Sequence, residues 1–305
     1  METILLLIRQ ILQMFLLGGL GFALFKAKKI TSEGSKALGN ILIYLSLPSV
    51  IINGFLVERT ADHQRGMLYS ALAAALLLTL SAAVSRFIFR KDPIAAFAGA
   101  FSNPGFFGVP LIIASVGQGA VFFVASFIAF LNVGQWTYGV SLLTGQPARQ
   151  GFQLKKLIRA PFIIAILIGL FFFLTQIQLP SVVTGCLSTV ASLNTPLAMF
   201  TVGIYLAQTD VRRMCCRRSN YFVAAVRLLL VPLLAVLLLS LLPPELHDMK
   251  MALLIAVSCP VGSNVAVYAQ LHGKNYTYGV ETVVMSTLFS ILTIPAIVWL
   301  AQQLW

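Results

Sequence analysis

Acidic side chains are few in this chain: nine Asp and Glu stand among 305 residues, and charged residues of both signs make up 10%. Soluble domains carry about a quarter charged residues. With 59% of residues hydrophobic, a water-soluble fold would expose apolar surface at roughly 25 cal/mol per Å², so lipid is the solvent that fits. Histidine is as scarce, with His63, His247 and His272 in or beside loops, and no Asp falls inside an apolar segment. A carboxylate or histidine proton relay at mid-membrane therefore lacks its residues. An intramembrane enzyme lacks them too, because there is no HExxH, no GxSxG and no aspartate pair in the apolar segments. Cys186, Cys215, Cys216 and Cys259 form no CxxC, which argues against a metal or disulfide role. A basic leader is also missing. Glu2 precedes an apolar run from Ile4 to Phe25, which reads as a first span rather than a cleaved signal.

What the chain has is apolar segments separated by basic loops. A span needs about 20 apolar residues, and ten segments qualify: 4–25, 36–57, 66–89, 93–115, 119–144, 160–178, 181–208, 221–242, 249–272 and 277–301. The net charge of +12 would suggest nucleic acid in a soluble protein. Here the cations sit in short loops and orient the chain, so no nucleic-acid partner is expected. Lys26, Lys28, Lys29 and Lys36 follow the first span, and Arg86, Arg90 and Lys91 the third. Arg149, Lys155, Lys156 and Arg159 follow the fifth, and Arg212, Arg213, Arg217 and Arg218 the seventh. The loops between carry only Arg59, Arg65 and Lys250, beside Glu58, Asp62, Glu245 and Asp248. The positive-inside rule then puts the basic loops in the cytoplasm and both termini outside a plasma (inner) membrane.

Residues 1–148 and 149–305 hold five spans each. An odd number inserts the second half upside down relative to the first, a topology common in secondary transporters. The halves share landmarks: Pro48 in span 2 and Pro196 in span 7, then a cluster in span 4 and another in span 9. The span 4 cluster contains Asn103, Pro104, Gly105, Gly108 and Pro110; the span 9 cluster contains Ser258, Pro260, Gly262, Ser263 and Asn264. Interruptions are expected in spans 4, 7 and 9. Proline removes a backbone donor, glycine permits non-helical geometry, and unwound backbone at membrane depth needs protein or a water-filled cavity around it. A break also exposes new helix ends, whose N-terminal N–H groups suit an anion and whose C-terminal carbonyls suit a cation. The expected fold is all-α and membrane-embedded, with ten helices in two inverted repeats.

The stretch Asn103-Pro104-Gly105-Phe106-Phe107-Gly108-Val109-Pro110-Leu111 resembles the Asn-x-x-x-x-Gly-[Ile/Val]-Pro-Leu signature of the auxin efflux carrier family, which includes plant auxin exporters and bacterial permeases for malate or malonate. Trp136-Thr137-Tyr138 with Asn132, the stretch Pro260 to Gln270, and Ser286-Thr287-Leu288 with Thr293-Ile294-Pro295 resemble its later helices. The resemblance implies a bacterial-type permease with a fold like that of sodium–proton antiporters and bile-acid symporters. It implies a scaffold of spans 1, 2, 6 and 7, which usually forms a homodimer, and a transport domain of spans 3–5 and 8–10 that moves as an elevator. Spans 4 and 9 would cross at the substrate site. Asn103 would contact a substrate carboxylate, with Gly105, Asn132, Gln135, Ser263, Asn264 and Ser49 as further candidates; Asn40 and Asn53 align less cleanly. Replacing Gly105 or Gly262 with Leu is expected to fill the space where the crossed helices approach.

Few polar residues remain. Arg9, with Gln10 and Gln13, lies near the end of span 1 and is expected to snorkel, as is Arg227 two turns into span 8. Glu281 is expected at the interface. A coupling cation, Na+ or H+, would use Ser258, Ser263 and Asn264; no other cofactor is expected. Without coupling, membrane potential alone supplies about 2.3 kcal/mol per charge per 100 mV. The expected function is secondary transport of a small organic anion, a mono- or dicarboxylate. The alternatives are a sodium-coupled symporter of the bile-acid type and an anion channel.

Overall fold

The computed structural model describes residues 2–146 and 159–305. Arg149, Lys155, Lys156 and the repeat boundary expected at 148/149 lie outside the described residues.

The apolar segments form helices because in lipid the backbone must hydrogen-bond within itself. In chain order these are α1 (Glu2–Lys26), α2 (Ser32–Phe55), α3 (Ala61–Ile88), α4 (Pro93–Ala100), α5 (Pro104–Ser115), α6 (Gln118–Thr144), α7 (Pro161–Thr175), α8 (Ser181–Gln208), α9 (Arg218–Leu239), α10 (His247–Ser258), α11 (Asn264–Leu271) and α12 (Tyr276–Leu304). Side-chain caps set several starts. Thr31 Oγ1 accepts from the Gly34 N–H at 3.1 Å, and Thr60 Oγ1 from the His63 N–H at 3.1 Å. Asp92 Oδ1 accepts from the Ala95 N–H, and Asn275 Oδ1 from the Tyr278 N–H, both at 3.0 Å. Each satisfies an amide that the first helical turn leaves unpaired.

Among the described residues seven helices are long and apolar enough to cross a membrane: α1, α2, α3, α6, α8, α9 and α12. The 15-residue α7 is apolar but shorter. Span 4 divides into α4 and α5, and span 9 into α10 and α11, as their Pro/Gly clusters predict. Span 7 is interrupted as well, at Leu193, between the helical stretches Ser181–Ser192 and Asn194–Gln208 of α8. The interruption is one residue that stays right-handed (φ −68°, ψ −15°), so the two stretches continue as one segment of crossing length, with Pro196 in the first turn beyond it. Pro48 likewise follows a widened turn at Leu42–Ser46 without interrupting α2.

α1 packs most extensively on α8, and α2 on α7 and α8; α3 lies along α4 and α6, while α12 lies against α9 and α11. The α1–α8 seam depends on small residues. A Cβ on Gly203 would overlap the Gly18 carbonyl, and one on Gly21 would lie 2.6 Å from the Phe200 backbone. Lipid tails give little hydrophobic drive for helix association, so close backbone approach supplies the packing. The outer surface is apolar, with Leu16, Leu72, Leu241 and Leu292 exposed, and Arg9 and Gln13 project from it rather than lining a cavity.

Gly203→Leu should lower the melting temperature of the detergent-purified protein, at a cost of about 1–3 kcal/mol for overpacking. Gly185→Leu, on the same helix with nothing within 4 Å of its Cβ position, should leave it unchanged. Equal melting of the two variants would refute the seam.

Candidate functional site

The two interruptions meet. Phe101 to Asn103 and Cys259 to Ser263 leave helical geometry and pair as an isolated antiparallel bridge between Ser102 and Val261. The Asn103 N–H donates to the Pro260 carbonyl at 3.0 Å, and the Gly262 N–H donates to the Phe101 carbonyl at 3.0 Å. Each unwound strand thus satisfies part of the other's backbone, which membrane depth requires. Side chains from three further helices complete the join. Ser286 of α12 accepts from the Val261 N–H at 3.0 Å. Asn194 of α8 donates to the Gly105 carbonyl at 3.0 Å. Arg227 of α9 donates to Gly99 at 3.0 Å, to Ala100 at 3.2 Å and to Val257.

Arg227 corrects the sequence reading. It is fully buried, and instead of snorkelling it turns inward to the C-terminal carbonyls of α4 and α10. Glu281 is a second correction. It too is buried rather than interfacial, with Arg217 at 2.8 Å, Arg213 at 3.5 Å and Asn220 at 3.3 Å. These arginines belong to the segment joining α8 to α9, so the pair fastens that connection to α12.

The N-terminal ends of α5 and α11 face a polar chamber of about 50 Å³, lined by Ser102, Asn103, Asn132, Gln135, Ser263 and Asn264 together with Gly105, Gly262 and apolar side chains. At the start of α5, backbone bonding begins only at Phe107, whose N–H meets the Asn103 carbonyl at 3.1 Å. The Gly105 and Phe106 amides before it have no carbonyl one turn back. Gln135 opens a widened turn of α6 (Gln135–Gly139), a distortion frequent at functional sites. Its Oε1 accepts from Asn264 Nδ2 at 2.8 Å. Its Nε2 is buried and finds no hydrogen-bond partner among the described residues, and neither does Ser102 Oγ. An unpaired buried donor costs about 1–3 kcal/mol, so these groups are poised for a polar solute.

Of the candidates read from sequence, Asn103, Gly105, Asn132, Gln135, Ser263 and Asn264 come together here. Ser49 does not, since its hydroxyl donates to the Leu45 carbonyl at 2.9 Å within α2. Ser258 lies buried at the end of α10 with its hydroxyl unpartnered among the described residues, outside the chamber lining. Asn40 is exposed. Asn53 lines a separate vestibule of about 590 Å³ between α2, α5 and α8, with Asn194 at its inner wall. Sequence reading missed the latch role of Asn194; its only signal was the polar residue beside the Pro196 landmark.

The glycine assignment also changes. A Cβ on Gly262 would lie 2.9 Å from the Ser102 carbonyl, and one on Gly108 would lie 2.8 Å from Cys259 Sγ. Gly105 instead faces the Leu47 side chain of α2 at 3.2 Å. Contact across the two broken helices is therefore made at Gly108 and Gly262, not at Gly105.

A polar chamber between crossed, interrupted helices, enclosed by a bundle with an apolar exterior, is the arrangement of a multi-pass membrane protein. Residues 148–298 match the family model described as membrane transport protein. Over 307 aligned residues the chain is 26% identical to a protein of Rhizobium meliloti (strain 1021) described as "Putative malonate transporter", and the match covers 93% of each chain. Both matches are to transporters rather than enzymes, and they agree with the resemblance to the auxin efflux carrier family.

Gly262→Ala should lower the melting temperature more than Gly105→Ala, because only the first collides with backbone while the second meets a movable leucine tip. Thermal unfolding of the two purified variants checks the order, and the reverse order would contradict the assigned contact.

Proposed function

We propose that this protein carries a small dicarboxylate, of malonate's size and charge, across the plasma (inner) membrane by alternating access. The observation that carries the reading is the convergence of two helix N-termini and the Asn103 and Gln135 amides on one chamber. Both N-terminal ends bear partial positive charge, and two such ends suit an anion with two carboxylates. The relative described as a malonate transporter supports the same class. At about 50 Å³ the chamber admits a dicarboxylate only when its walls part, which is what alternating access supplies.

In this reading the chain crosses the membrane ten times. The seven long helices, α7, and the pairs α4–α5 and α10–α11 each make one crossing, and both termini lie outside. The two five-span halves are inverted repeats. α1, α2, α7 and α8 form the scaffold and carry the homodimer contact; α3–α6 and α9–α12 move together as the elevator. What supports the division is the packing, in which α1 and α2 lie chiefly on α7 and α8 while α3, α9 and α12 lie around the crossing. The Asn194–Gly105 bond then joins the two bodies and breaks once per cycle. The vestibule beside Asn194 is the approach to the site.

Asn103→Ala should reduce malonate uptake into proteoliposomes by roughly ten- to hundredfold, since a hydrogen bond to a charged group contributes about 1.5–3 kcal/mol. Expression and melting temperature should stay near wild type. Uptake by the wild type should saturate and show counterflow, whereas non-saturating flux would indicate a channel. Malonate uptake by Asn103→Ala equal to wild type would remove Asn103 from the site.

A further inference from the structure

At a crossing of this kind the four half-helix ends sort by sign. The N-terminal ends of α5 and α11 face the chamber, and the C-terminal ends of α4 and α10 meet on its other side, at Gly99, Ala100 and Val257. Carbonyls at such C-terminal ends, with their partial negative charge, are where transporters of this design coordinate a coupling cation. Here those carbonyls are already engaged. Arg227 Nη1 donates to two of them and Nη2 to the third. The guanidinium is planar and permanently charged, and it bridges both broken helices at once. Among the described residues no carboxylate pairs with it, as the ion pairs there belong to Arg213 and Arg217 with Glu281. Ser258 Oγ and Ser85 Oγ, the latter beside Gly99, are the nearby buried hydroxyls without a partner among the described residues, and two hydroxyls are too few ligands to hold a metal ion.

We propose that Arg227 is a positioning residue whose guanidinium stands in for a bound metal cation, joining the C-terminal ends of α4 and α10 and giving the crossing a fixed positive charge. The inference rests on the carrier reading above for its transport consequence, and on the buried contacts alone for its structural one. A tethered cation cannot dissociate with each cycle, so it balances the arriving anion without being transported. Asn103 follows Ala100 by three residues, so a charge clamping Ala100 also fixes where the chamber's substrate-facing amide stands. Sodium is then unnecessary for turnover. An ion of the right charge should substitute for the arginine only when the side chain is removed.

The test compares wild type, Arg227→Lys and Arg227→Gln, measuring malonate flux in proteoliposomes and melting temperature in detergent. Each is run in sodium chloride, choline chloride and guanidinium chloride at matched low ionic strength. Wild type should behave alike in sodium and choline. Arg227→Gln should lose about tenfold or more of its flux in choline, the scale of a lost charge-assisted contact, and regain part of it with guanidinium. Its melting temperature should rise with guanidinium while that of wild type does not. Arg227→Lys should stand between the two and stay insensitive to sodium. The proposal is overturned by wild-type flux that requires sodium, by full flux of Arg227→Gln in choline, or by a damaged Arg227→Gln that no cation restores. If wild type moves no malonate, the substrate assignment fails, and the melting comparison still decides the role of Arg227. If Arg227→Gln does not fold, sodium dependence in wild type or in Arg227→Lys would overturn the proposal.

Discussion

Unpaired backbone at membrane depth is the constraint on which this structure turns. Two helices break in the protein interior, and every N–H and C=O freed there must find a partner or cost several kcal/mol. The breaks solve part of this for each other through the Ser102–Val261 bridge. One polar side chain from each of three helices meets more of it, namely Ser286, Asn194 and Arg227, while the Gly105 and Phe106 amides stay open to the chamber. Buried polar residues elsewhere in the bundle mostly bond within their own helix, as Ser81 does with the Leu77 carbonyl and Thr287 with the Val283 carbonyl. Ser286, Asn194 and Arg227 depart from that habit where the two breaks meet.

Polarity at that centre is separated by sign. Positive helix ends face a chamber with unpaired amide and hydroxyl groups, and negative helix ends close on a buried guanidinium. In the proposed reading an anion occupies one side of the crossing, and Arg227 occupies the Gly99, Ala100 and Val257 carbonyls on the other. The second charge cluster, buried Glu281 with the more exposed Arg213 and Arg217, does different work. It ties the segment between α8 and α9 to α12, across the boundary between the proposed scaffold and the proposed moving body. Glu281 is the buried member, so losing both arginines would leave its carboxylate buried and unpaired, which holds this connection to α12.

Much of the plan was legible because its causes are local. Apolar runs and their lengths locate the helices, and the Asn103–Pro110 and Ser258–Asn264 clusters locate the breaks, since proline and glycine act on their own backbone. Interactions between distant segments were not legible. Arg227 looks like any cation two turns inside a helix end; only the fold shows that its neighbours are two carbonyl-bearing helix ends rather than lipid headgroups. Glu281 was misplaced for the same reason, because its partners lie in a loop more than sixty residues away. Pro196 marks a milder interruption than the other two clusters, a single right-handed residue at Leu193, because no glycine there lets the chain leave helical geometry. Gly105 and Gly108 sit in the same cluster, and the direction in which each missing Cβ points decides which touches the other broken helix.

The account's central claim is that an anion rests between the two broken helices, held by the N-terminal ends of α5 and α11. A density map of the protein in lipid nanodiscs, recorded with and without saturating malonate, tests it most directly. The account predicts new density in the chamber within hydrogen-bonding distance of Asn103 and Gln135, with Arg227 still closing the opposite side. Malonate density elsewhere, or helices running unbroken through residues 101–103 and 259–263, would contradict it.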